Sequence, residues 1–323
     1  MTILGLHHIS IVTRDAQRMV DFYTQALGLR LVKQTVNFDA PNSYHLYFGD
    51  TAARPGTLIT YFEWPGAAAG APGLGGTHHY ALRVADTTAQ LKWKRRLTDL
   101  HLKVTGPFDR HYFTSIYFTD PDGTIIEIAT DGPGWTRDEA PGAVGQEFRA
   151  PPAEMLVNNR DEARIAGLTW PEPVPTITPD MALNSGMHHI TAIGRDIGRT
   201  HAFFGDLLGM QRVKMTSNFD DPKSAHWYWG VDGGRPGTLI TYFERNPATE
   251  RPARLATPSS MLRHAIHFAR GATPIWLPAW SSPMPVPRTC VPCPKSSHGT
   301  GEVKPHGLVP LPLASACTAS HQL

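Results

Sequence analysis

The chain has 323 residues, of which 41% are hydrophobic and 18% are charged, and its formal net charge is +2. This length suffices for about two domains with cores of their own. A charge so close to neutral, without any basic run, argues against nucleic-acid and membrane-surface partners. No apolar run approaches the roughly 18 residues of a membrane-spanning helix. The only cysteines are Cys290, Cys293 and Cys317, close to the C-terminus, which argues against a disulfide framework and favours a cytoplasmic location.

One segment of the chain occurs twice. The run LHHIS at Leu6–Ser10 returns as MHHIT at Met187–Thr191, and RPGTLITYFE at Arg54–Glu63 returns unchanged at Arg235–Glu244. The offset along the chain is the same for both pairs, and a constant offset over such a length is typical of a duplicated structural module. The first copy starts so close to Met1 that we expect no signal peptide. Because two adjacent histidines open each copy, we expect the duplicated feature to be a metal site.

The first copy has the pattern of a β-α-β-β-β module. Alternating apolar residues predict a strand at 6–12, and Asp15 is typical of a residue that caps the start of a helix. Apolar residues at three- and four-residue spacing continue this helix up to Gly28, where its end is expected. Three strands separated by turns with proline or glycine are then predicted at 29–36, 44–48 and 57–62.

A second module follows a linker that is rich in alanine and glycine. Its predicted elements are a strand at 77–84, a helix at 88–100 and two closing strands at 112–118 and 124–129, joined by the turn Asp120–Gly123. A third module begins near residue 186 and repeats the first. The pattern of alternating strands and short helices therefore predicts an α+β protein built from tandem β-α-β-β-β modules.

The predicted organisation has four parts: an N-terminal domain of two modules at 1–132, a connector at 133–185, a third module at 186–246 and a tail at 247–323. A fourth module is expected after the third, and Arg263–Phe268 has the pattern of its first strand. The aspartate-proline turn and the glutamate strand that should follow are missing from the sequence. We interpret the tail as out-of-frame translation of a fourth module. The alternative is a natural disordered tail, and resequencing codons 245–323 distinguishes the two.

Three residues of the N-terminal domain offer the ligands of a metal site. His8 and His79 lie in the first strands of the two modules, and Glu127 lies in the middle of the apolar strand TIIEIA. A carboxylate is almost never buried without an ion pair or a metal, whereas a single strand histidine is more often a hydrogen-bonded core residue. Two imidazoles and one carboxylate on one face form the ligand set of non-haem Fe(II) enzymes, which leaves positions for a substrate and O2. We therefore expect these three residues to bind one ion.

The modules resemble those of the vicinal oxygen chelate superfamily, which includes glyoxalase I, bleomycin-resistance proteins and extradiol dioxygenases. The resemblance lies in the LHHI opening of the first module and in the sequence DPDGxxxE that closes the second. The runs DRHYFTSIYF at Asp109–Phe118 and YHLY at Tyr44–Tyr47 are similar to the hydroquinone ring-cleaving dioxygenases. The resemblance covers residues 5–140 and 186–244, and it implies that the modules pair into a curved, open barrel.

The resemblance also implies roles for individual residues. The iron ligands of the family fall on His8, His79 and Glu127, with Fe(II) as the expected ion and Mn(II) as the alternative. The residues around the metal fall on His7, Ser10, His78, Arg110 and Tyr117. Tyr117 would hold a substrate oxygen, a neighbouring histidine would move protons near neutral pH, and Arg110 would stabilise negative charge on a phenolate. Apart from the resemblance, Arg110 fits a surface cation and Tyr117 fits cross-strand packing.

The sequence departs from the family in its module plan. In the hydroquinone dioxygenases the first and last of four modules carry the metal, whereas here the second module already holds both His79 and Glu127. We therefore expect a self-sufficient metal site in the N-terminal domain. The C-terminal copy around His189, with His264 or His267, has no matching glutamate and is expected to bind no metal.

The resemblance favours an Fe(II)-dependent extradiol-type dioxygenase that opens a hydroquinone or catechol-like ring. Its expected partners are a small aromatic substrate and O2, and a homodimer is left open. A glyoxalase-like metal-dependent lyase is the first alternative, although that class contributes more carboxylates. A metal-free binding protein of the bleomycin-resistance type is the second, and the intact ligand set argues against it. A chain without activity is the third, if a complete fourth module is needed for folding.

Overall fold

The computed structural model describes residues 3–254 and, as backbone alone, two further strands at 265–270 and 275–277. The other residues after 254 lie outside the described part of the chain, and they make up most of the segment that we interpret as out-of-frame. That interpretation of residues 247–323 therefore stays a prediction.

Fourteen strands lie in the described part of the chain. They are β1 (Ile3–Thr13), β2 (Arg30–Val36), β3 (Tyr44–Gly49), β4 (Leu58–Glu63), β5 (Thr77–Val84), β6 (Thr105–Asp109), β7 (Thr114–Thr119), β8 (Ile125–Thr130), β9 (Met187–Gly194), β10 (Gln211–Asn218), β11 (Asp221–Gly230), β12 (Leu239–Glu244), β13 (Ala265–Arg270) and β14 (Ile275–Leu277).

Short helices accompany the strands. The α-helices are α1 (Ala16–Asp21), α2 (Thr87–Asp99), α3 (Glu162–Gly167) and α4 (Ile197–His201), and α1 and α4 continue as the π-helical turns Phe22–Ala26 and Ala202–Leu207. Single 3-10 turns occur at Trp135–Arg137, Pro141–Ala143, Ala153–Met155, Pro179–Met181 and Leu183–Ser185. Among the residues that the structure describes, no helix has the length and apolar character needed to cross a membrane.

The strands form two mixed sheets. One has six strands in the order β14-β13-β1-β4-β3-β2, and the other has eight in the order β10-β11-β12-β9-β5-β8-β7-β6. In each complete module the first strand runs parallel to the last, which pairs β1 with β4, β5 with β8 and β9 with β12. The predicted α+β class and the tandem β-α-β-β-β modules are therefore confirmed.

The modules pair differently from the expected arrangement. Strand β5 pairs antiparallel with β9, so the second module shares its sheet with the third and not with the first. The first module instead pairs through β1 with β13, which lies where the first strand of a fourth module was expected. The first strand of every module has an edge that can accept a neighbour, and the sequence repeat does not specify which edges meet. The structure therefore joins residues on both sides of the connector in one sheet.

The first and third modules repeat contacts as well as sequence. Glu63, at the end of β4, accepts a hydrogen bond from the backbone N–H of Ala16 at 2.8 Å, and Glu244 accepts the equivalent bond from Ile197 at 2.9 Å. Each carboxylate satisfies a helix N–H that has no partner within its helix. Both copies of the helix thus begin at the same point beside the parallel strand pair of their module.

The connector is bound firmly to α2. Lys94 is buried, and its Nζ donates hydrogen bonds to the carbonyl of Gly106 at 2.6 Å and to those of Ile165 and Ala166, near the end of α3, at 3.2 and 2.9 Å. An ammonium group with three acceptors has all its donors satisfied, and a cation at the carboxyl end of α3 is electrostatically favourable. These bonds fix the path of the connector between the second and third modules.

Candidate metal centre

Two histidines and one glutamate from three strands converge in the eight-stranded sheet. His79 lies in β5, Glu127 in β8 and His189 in β9, and their candidate ligand atoms all lie within 4.8 Å of one another. Glu127 Oε2 is 3.0 Å from His79 Nε2 and 3.4 Å from His189 Nε2, and the two nitrogens are 3.3 Å apart. All three residues are buried, and none exposes more than 4% of its surface.

The register of three adjacent strands creates this cluster. Ala81 of β5 lies opposite Glu127 of β8 on one side and opposite His189 of β9 on the other. His79 precedes Ala81 by two positions, so all four side chains point to the same face of the sheet. The small side chain of Ala81 at the centre of the row leaves room for the three functional groups around it.

The three groups fit a divalent metal ion. Glu127 Oε2 is buried and has no hydrogen-bond partner, although two imidazole nitrogens approach it. An unpartnered buried oxygen is costly in a protein interior, and an ion bound between the three groups would remove that cost. Two ligands about 2.1 Å from one ion and at right angles are about 3 Å apart, which matches the observed separations. The donor set of two imidazoles and one carboxylate is the one that non-haem Fe(II) sites use.

A second histidine supports each imidazole of the cluster. His78 Nδ1 lies 2.7 Å from His79 Nδ1, and His188 Nδ1 lies 2.9 Å from His189 Nδ1. When the Nε2 lone pair of a histidine faces a metal, its Nδ1 carries the proton and donates it to a neighbouring acceptor. His78 and His188 would thus accept at Nδ1, which fixes the tautomer and the ring orientation of both ligands.

The glutamate and His79 favour the protonation states that bind metal. Burial raises the pKa of Glu127, but the imidazoles of His189 and His79 lower it by more than burial raises it. The pKa of Glu127 therefore lies well below its usual range. Burial lowers the pKa of His79 despite the nearby carboxylate. The carboxylate is therefore ionised and the His79 imidazole neutral near pH 7, and these are the forms that can coordinate a cation. Ser115 Oγ donates to Glu127 Oε1 at 2.6 Å and holds the carboxylate in place.

The cluster opens into a cavity of about 340 Å³, which is large enough for one small aromatic molecule. Aromatic side chains make up much of its wall: Phe108, Phe113, Tyr117, Phe219, Tyr228 and Phe243. His226 also lines the cavity, and its Nε2 lies 2.9 Å from Thr241 Oγ1. The wall is thus shaped for a planar apolar ring, with a few polar groups near the metal ligands.

Arg110 and Tyr117 lie together on this wall. Arg110 is buried, and one of its terminal nitrogens is 3.5 Å from the Tyr117 hydroxyl and 2.8 Å from Asp220 Oδ2. Burial lowers the pKa of Arg110, but Tyr117 and Asp220 raise it above its usual value. Burial also raises the pKa of Tyr117, although Arg110 lowers it. Tyr117 is therefore a neutral phenol beside a permanent cation, and its ring centroid lies 5.7 Å from that of His79.

The structure brings five of the eight residues expected from the sequence to this centre. His79, Glu127, His78, Arg110 and Tyr117 all line the cavity. His8, His7 and Ser10 lie in β1, in the other sheet, where Nδ1 of His7 is 2.9 Å from Nδ1 of His8 and Ser10 Oγ accepts from Thr60 Oγ1 at 2.9 Å. Among the residues that the structure describes, the three-ligand group contains His189 in the place where His8 was expected. The reason is the pairing of β5 with β9.

Several residues at the centre have no role in the sequence-based interpretation. They are His188, Ser115, Phe113, Asp220, Tyr228 and Phe243. A signal was available for those in the third module, because His188 and His189 are the counterparts of His7 and His8 in the repeat. The sequence therefore identified the type of residue, whereas the structure brings the copy in the third module, and not the copy in the first, beside His79 and Glu127; which copy binds the metal stays a prediction. Ser115 lies next to Glu127 through the pairing of β7 with β8, the two strands that the turn Asp120–Gly123 joins, but its contact with the carboxylate was not predicted.

Comparisons with known proteins agree with this architecture. Residues 5–128 match the Glyoxalase/Bleomycin resistance protein/Dioxygenase superfamily. MhqO of Bacillus subtilis, which is provisionally named a ring-cleaving dioxygenase, is 32% identical over 224 residues, or 69% of this chain and 60% of that protein. The chlorohydroquinone/hydroquinone 1,2-dioxygenase of Sphingobium indicum is 37% identical over 135 residues, or 40% of this chain and 41% of that enzyme.

A solved structure is similar as well. The crystal structure of a Bacillus subtilis protein that is provisionally described as a dioxygenase superposes with a TM-score of 0.57 at 25% identity, covering 83% of this chain and 82% of that chain. The two curated relatives are matched over 60% and 41% of their own lengths. The likeness therefore supports the fold and the family, while the activity has to be argued from the site.

Proposed function

The chain belongs, through residues 5–128, to the Glyoxalase/Bleomycin resistance protein/Dioxygenase superfamily, and we propose that it is an Fe(II)-dependent, extradiol-type dioxygenase that opens a hydroquinone or catechol-like ring. The observation that carries the proposal is the buried cluster of His79, Glu127 and His189 at the floor of an aromatic cavity. The Sphingobium indicum relative is named for hydroquinone and chlorohydroquinone, which is consistent with a diol on the ring.

The proposed ligands are His79, Glu127 and His189, with Fe(II) as the expected ion and Mn(II) as the alternative. Three protein ligands leave open positions on an octahedral ion. His79, Glu127 and His189 would hold the metal, which would supply binding positions for a ring hydroxyl and for O2 and a route for electron transfer between the two. The reaction adds both atoms of O2 and breaks one ring C–C bond beside a hydroxyl-bearing carbon, and the product is a ring-opened acid.

The protein's own residues position the ring and control its protons. Phe113, Phe219 and Phe243 line the cavity and exclude water from the reacting ring. The Tyr117 hydroxyl donates a hydrogen bond to an oxygen of the substrate, and the Arg110 guanidinium, 3.5 Å from that hydroxyl, strengthens it as a donor when a ring hydroxyl loses its proton. His226 and His78 face the same cavity, where His78 orients the His79 ligand and His226 contacts the Tyr228 hydroxyl at 3.1 Å.

Anaerobic loading with Fe(II), followed by oxygen uptake in the presence of hydroquinone and catechol, tests the proposal. We expect one O2 to be consumed per ring opened, and Glu127→Gln to abolish uptake. Parallel loading with Mn(II) identifies the preferred metal. Bound iron without uptake for either ring would contradict the dioxygenase proposal and favour a lyase, and a folded chain that binds no metal would contradict the metal centre itself.

The matched control for the site is His8, which occupies the same position of the first module as His189 in the third. If His8→Ala abolished uptake while His189→Ala did not, the site predicted from the sequence would be correct and the assignment of His189 would be wrong. The cytoplasmic location and the absence of a nucleic-acid partner remain parts of the proposal, and size-exclusion chromatography with light scattering decides whether the chain is a homodimer.

A further inference from the structure

Asp220 links the cavity wall to the connector. It lies in the turn between β10 and β11, and its two carboxylate oxygens bind different arginines. Oδ2 accepts from Arg110 at 2.8 Å, and Oδ1 accepts from Arg160 of the connector at 2.6 Å. The two arginine side chains are 9% exposed, whereas that of Asp220 is 43% exposed. The acidic group thus lies at the mouth of the cavity and holds a buried cation inside it.

The environment of Arg110 makes this carboxylate important. The guanidinium carbon of Arg110 lies 5.1 to 5.6 Å from the ring centroids of Phe108, Tyr117 and Phe219. Aromatic faces attract a cation but do not neutralise it, so the compensating charge in direct contact with Arg110 is that of Asp220, and Glu127 adds to it from a longer distance. The second arginine of the cavity, Arg245, is likewise paired with the adjacent carboxylate, Asp221.

Because Arg110 and Arg245 are already paired with carboxylates, little positive charge remains to neutralise a negatively charged ligand. A carboxylate on the substrate would have to displace Asp220 from Arg110 or lie close to that carboxylate, and like charges in a partly desolvated site repel strongly. An uncharged ring meets no such penalty. We propose that Asp220 sets the charge preference of the cavity, and that by occupying Arg110 it makes the site select an uncharged aromatic diol over the same ring bearing a carboxylate.

This inference rests on the proposed function, because it assumes that an aromatic diol binds in the cavity. The chain offers a matched control: Asp39 is the counterpart of Asp220 in the repeat, in the equivalent turn of the first module. Its backbone N–H bonds to Asn37 Oδ1 at 3.0 Å, as that of Asp220 bonds to Asn218 Oδ1 at 2.9 Å. Asp39 is exposed and lies outside the cavity wall.

The experiment measures binding, not turnover. The full-length chain is loaded with Fe(II) anaerobically, and isothermal titration gives dissociation constants for hydroquinone and for 2,5-dihydroxybenzoate, which is the same ring with one carboxylate. We expect the wild type to prefer hydroquinone. Asp220→Asn should shift the ratio of the two constants toward the carboxylated ring by about tenfold or more, since a charge-assisted hydrogen bond to Arg110 becomes available. Asp39→Asn should leave the ratio unchanged.

Two further variants separate this role from a structural one. Asp220→Glu keeps the charge and should restore the preference for hydroquinone. Arg160→Gln removes the other partner of Asp220 while Arg110 stays paired, so the ratio should remain that of the wild type. An unchanged ratio in a folded Asp220→Asn variant overturns the proposal, and so does a wild type that prefers the carboxylated ring. If the wild type binds neither ring, the proposed function fails together with this inference. If it binds the rings but the ratio behaves differently from the expectation, only this inference fails.

Discussion

His79 and His189 belong to different modules, yet their Nε2 atoms lie 3.3 Å apart because β5 and β9 are neighbours in one sheet. The candidate metal centre is therefore complete only when the second and third modules have folded against each other. A ligand that binds the native state alone stabilises it according to its concentration and affinity. Metal binding should thus stabilise the shared eight-stranded sheet, and not one module by itself.

His189→Ala should lower metal affinity far more than His8→Ala. The first change removes one of the three groups that converge at the centre, whereas the second removes the residue at the same position of the six-stranded sheet. Even partners that only orient a ligand are worth about 10- to 100-fold in metal affinity, so we expect a larger loss for His189→Ala. Equilibrium dialysis with metal analysis measures it, and equal losses in the two variants would contradict the assignment of His189.

The histidines behind the ligands give a second test. His188→Phe removes the acceptor at 2.9 Å from His189 Nδ1, so the tautomer and orientation of His189 are no longer fixed. We expect metal affinity to fall about 10- to 100-fold. His188→Asn places an oxygen near the position of Nδ1 and should recover part of the loss. His7→Phe changes the equivalent pair of the first module, where Nδ1 of His7 is 2.9 Å from Nδ1 of His8, and an effect on metal affinity as large as that of His188→Phe would contradict the interpretation.

Local features of the fold were predictable because short stretches of sequence determine them. Asp15 was predicted as a helix cap, and its side chain accepts from the backbone of Arg18 at 3.0 Å. Gly28 was placed at the end of this helix, and it has a φ of 67°, a conformation that favours glycine. Glu127 was identified as a candidate ligand because a carboxylate in an apolar strand needs a charged partner or a metal.

The choice between His8 and His189 could not be made in the same way. Both open a copy of the same motif, and local sequence is nearly identical around them. What distinguishes them is that β9 lies beside β5, and this long-range pairing depends on how whole sheets assemble. The network of Asp220, Arg110 and Arg160 escaped prediction for the same reason, since it joins three segments that are distant in the sequence.

The pH dependence of stability should include a contribution from His45. This side chain stacks on Phe62 with a centroid distance of 3.8 Å, and burial together with Lys33 lowers its pKa to about 4. A histidine that is harder to protonate in the folded state binds fewer protons than in the unfolded chain, so stability falls as the pH drops below 6.5.

Urea unfolding at intervals between pH 6.5 and 4 measures this contribution. His45→Phe should reduce the slope of unfolding free energy against pH. A difference of one full proton between the folded and unfolded states would give a slope of about 1.4 kcal/mol per pH unit. The reduction in slope should be smaller than this, because the His45 side chain is only partly buried. Identical slopes for the wild type and the variant would show that His45 protonates equally in both states.

A buried lysine should anchor the connector to the third module. Lys214 in β10 has no exposed surface, and its Nζ bonds to Asp138 Oδ1 at 2.9 Å and to the buried carboxylate of Glu139. Lys214→Met removes the cation and leaves Glu139 buried beside Asp138 without it, and breaking a buried ion pair from one side costs about 3–5 kcal/mol. We expect a loss of that order in the free energy of unfolding, measured by urea denaturation.

The repeat supplies the control for this change as well. Lys33 is the counterpart of Lys214 in the first module, but it is exposed, and its Nζ lies 5.9 Å from the ring centroid of Tyr47. Lys33→Met should change stability by no more than about 0.5 kcal/mol, as is usual for a surface substitution. If Lys214→Met were equally mild, the carboxylates of Asp138 and Glu139 would have to take up protons or reach solvent without the lysine. If the stability of the variant depended on pH between 4 and 8 in the same way as that of the wild type, proton uptake would be ruled out, and solvent exposure of the connector would remain as the explanation.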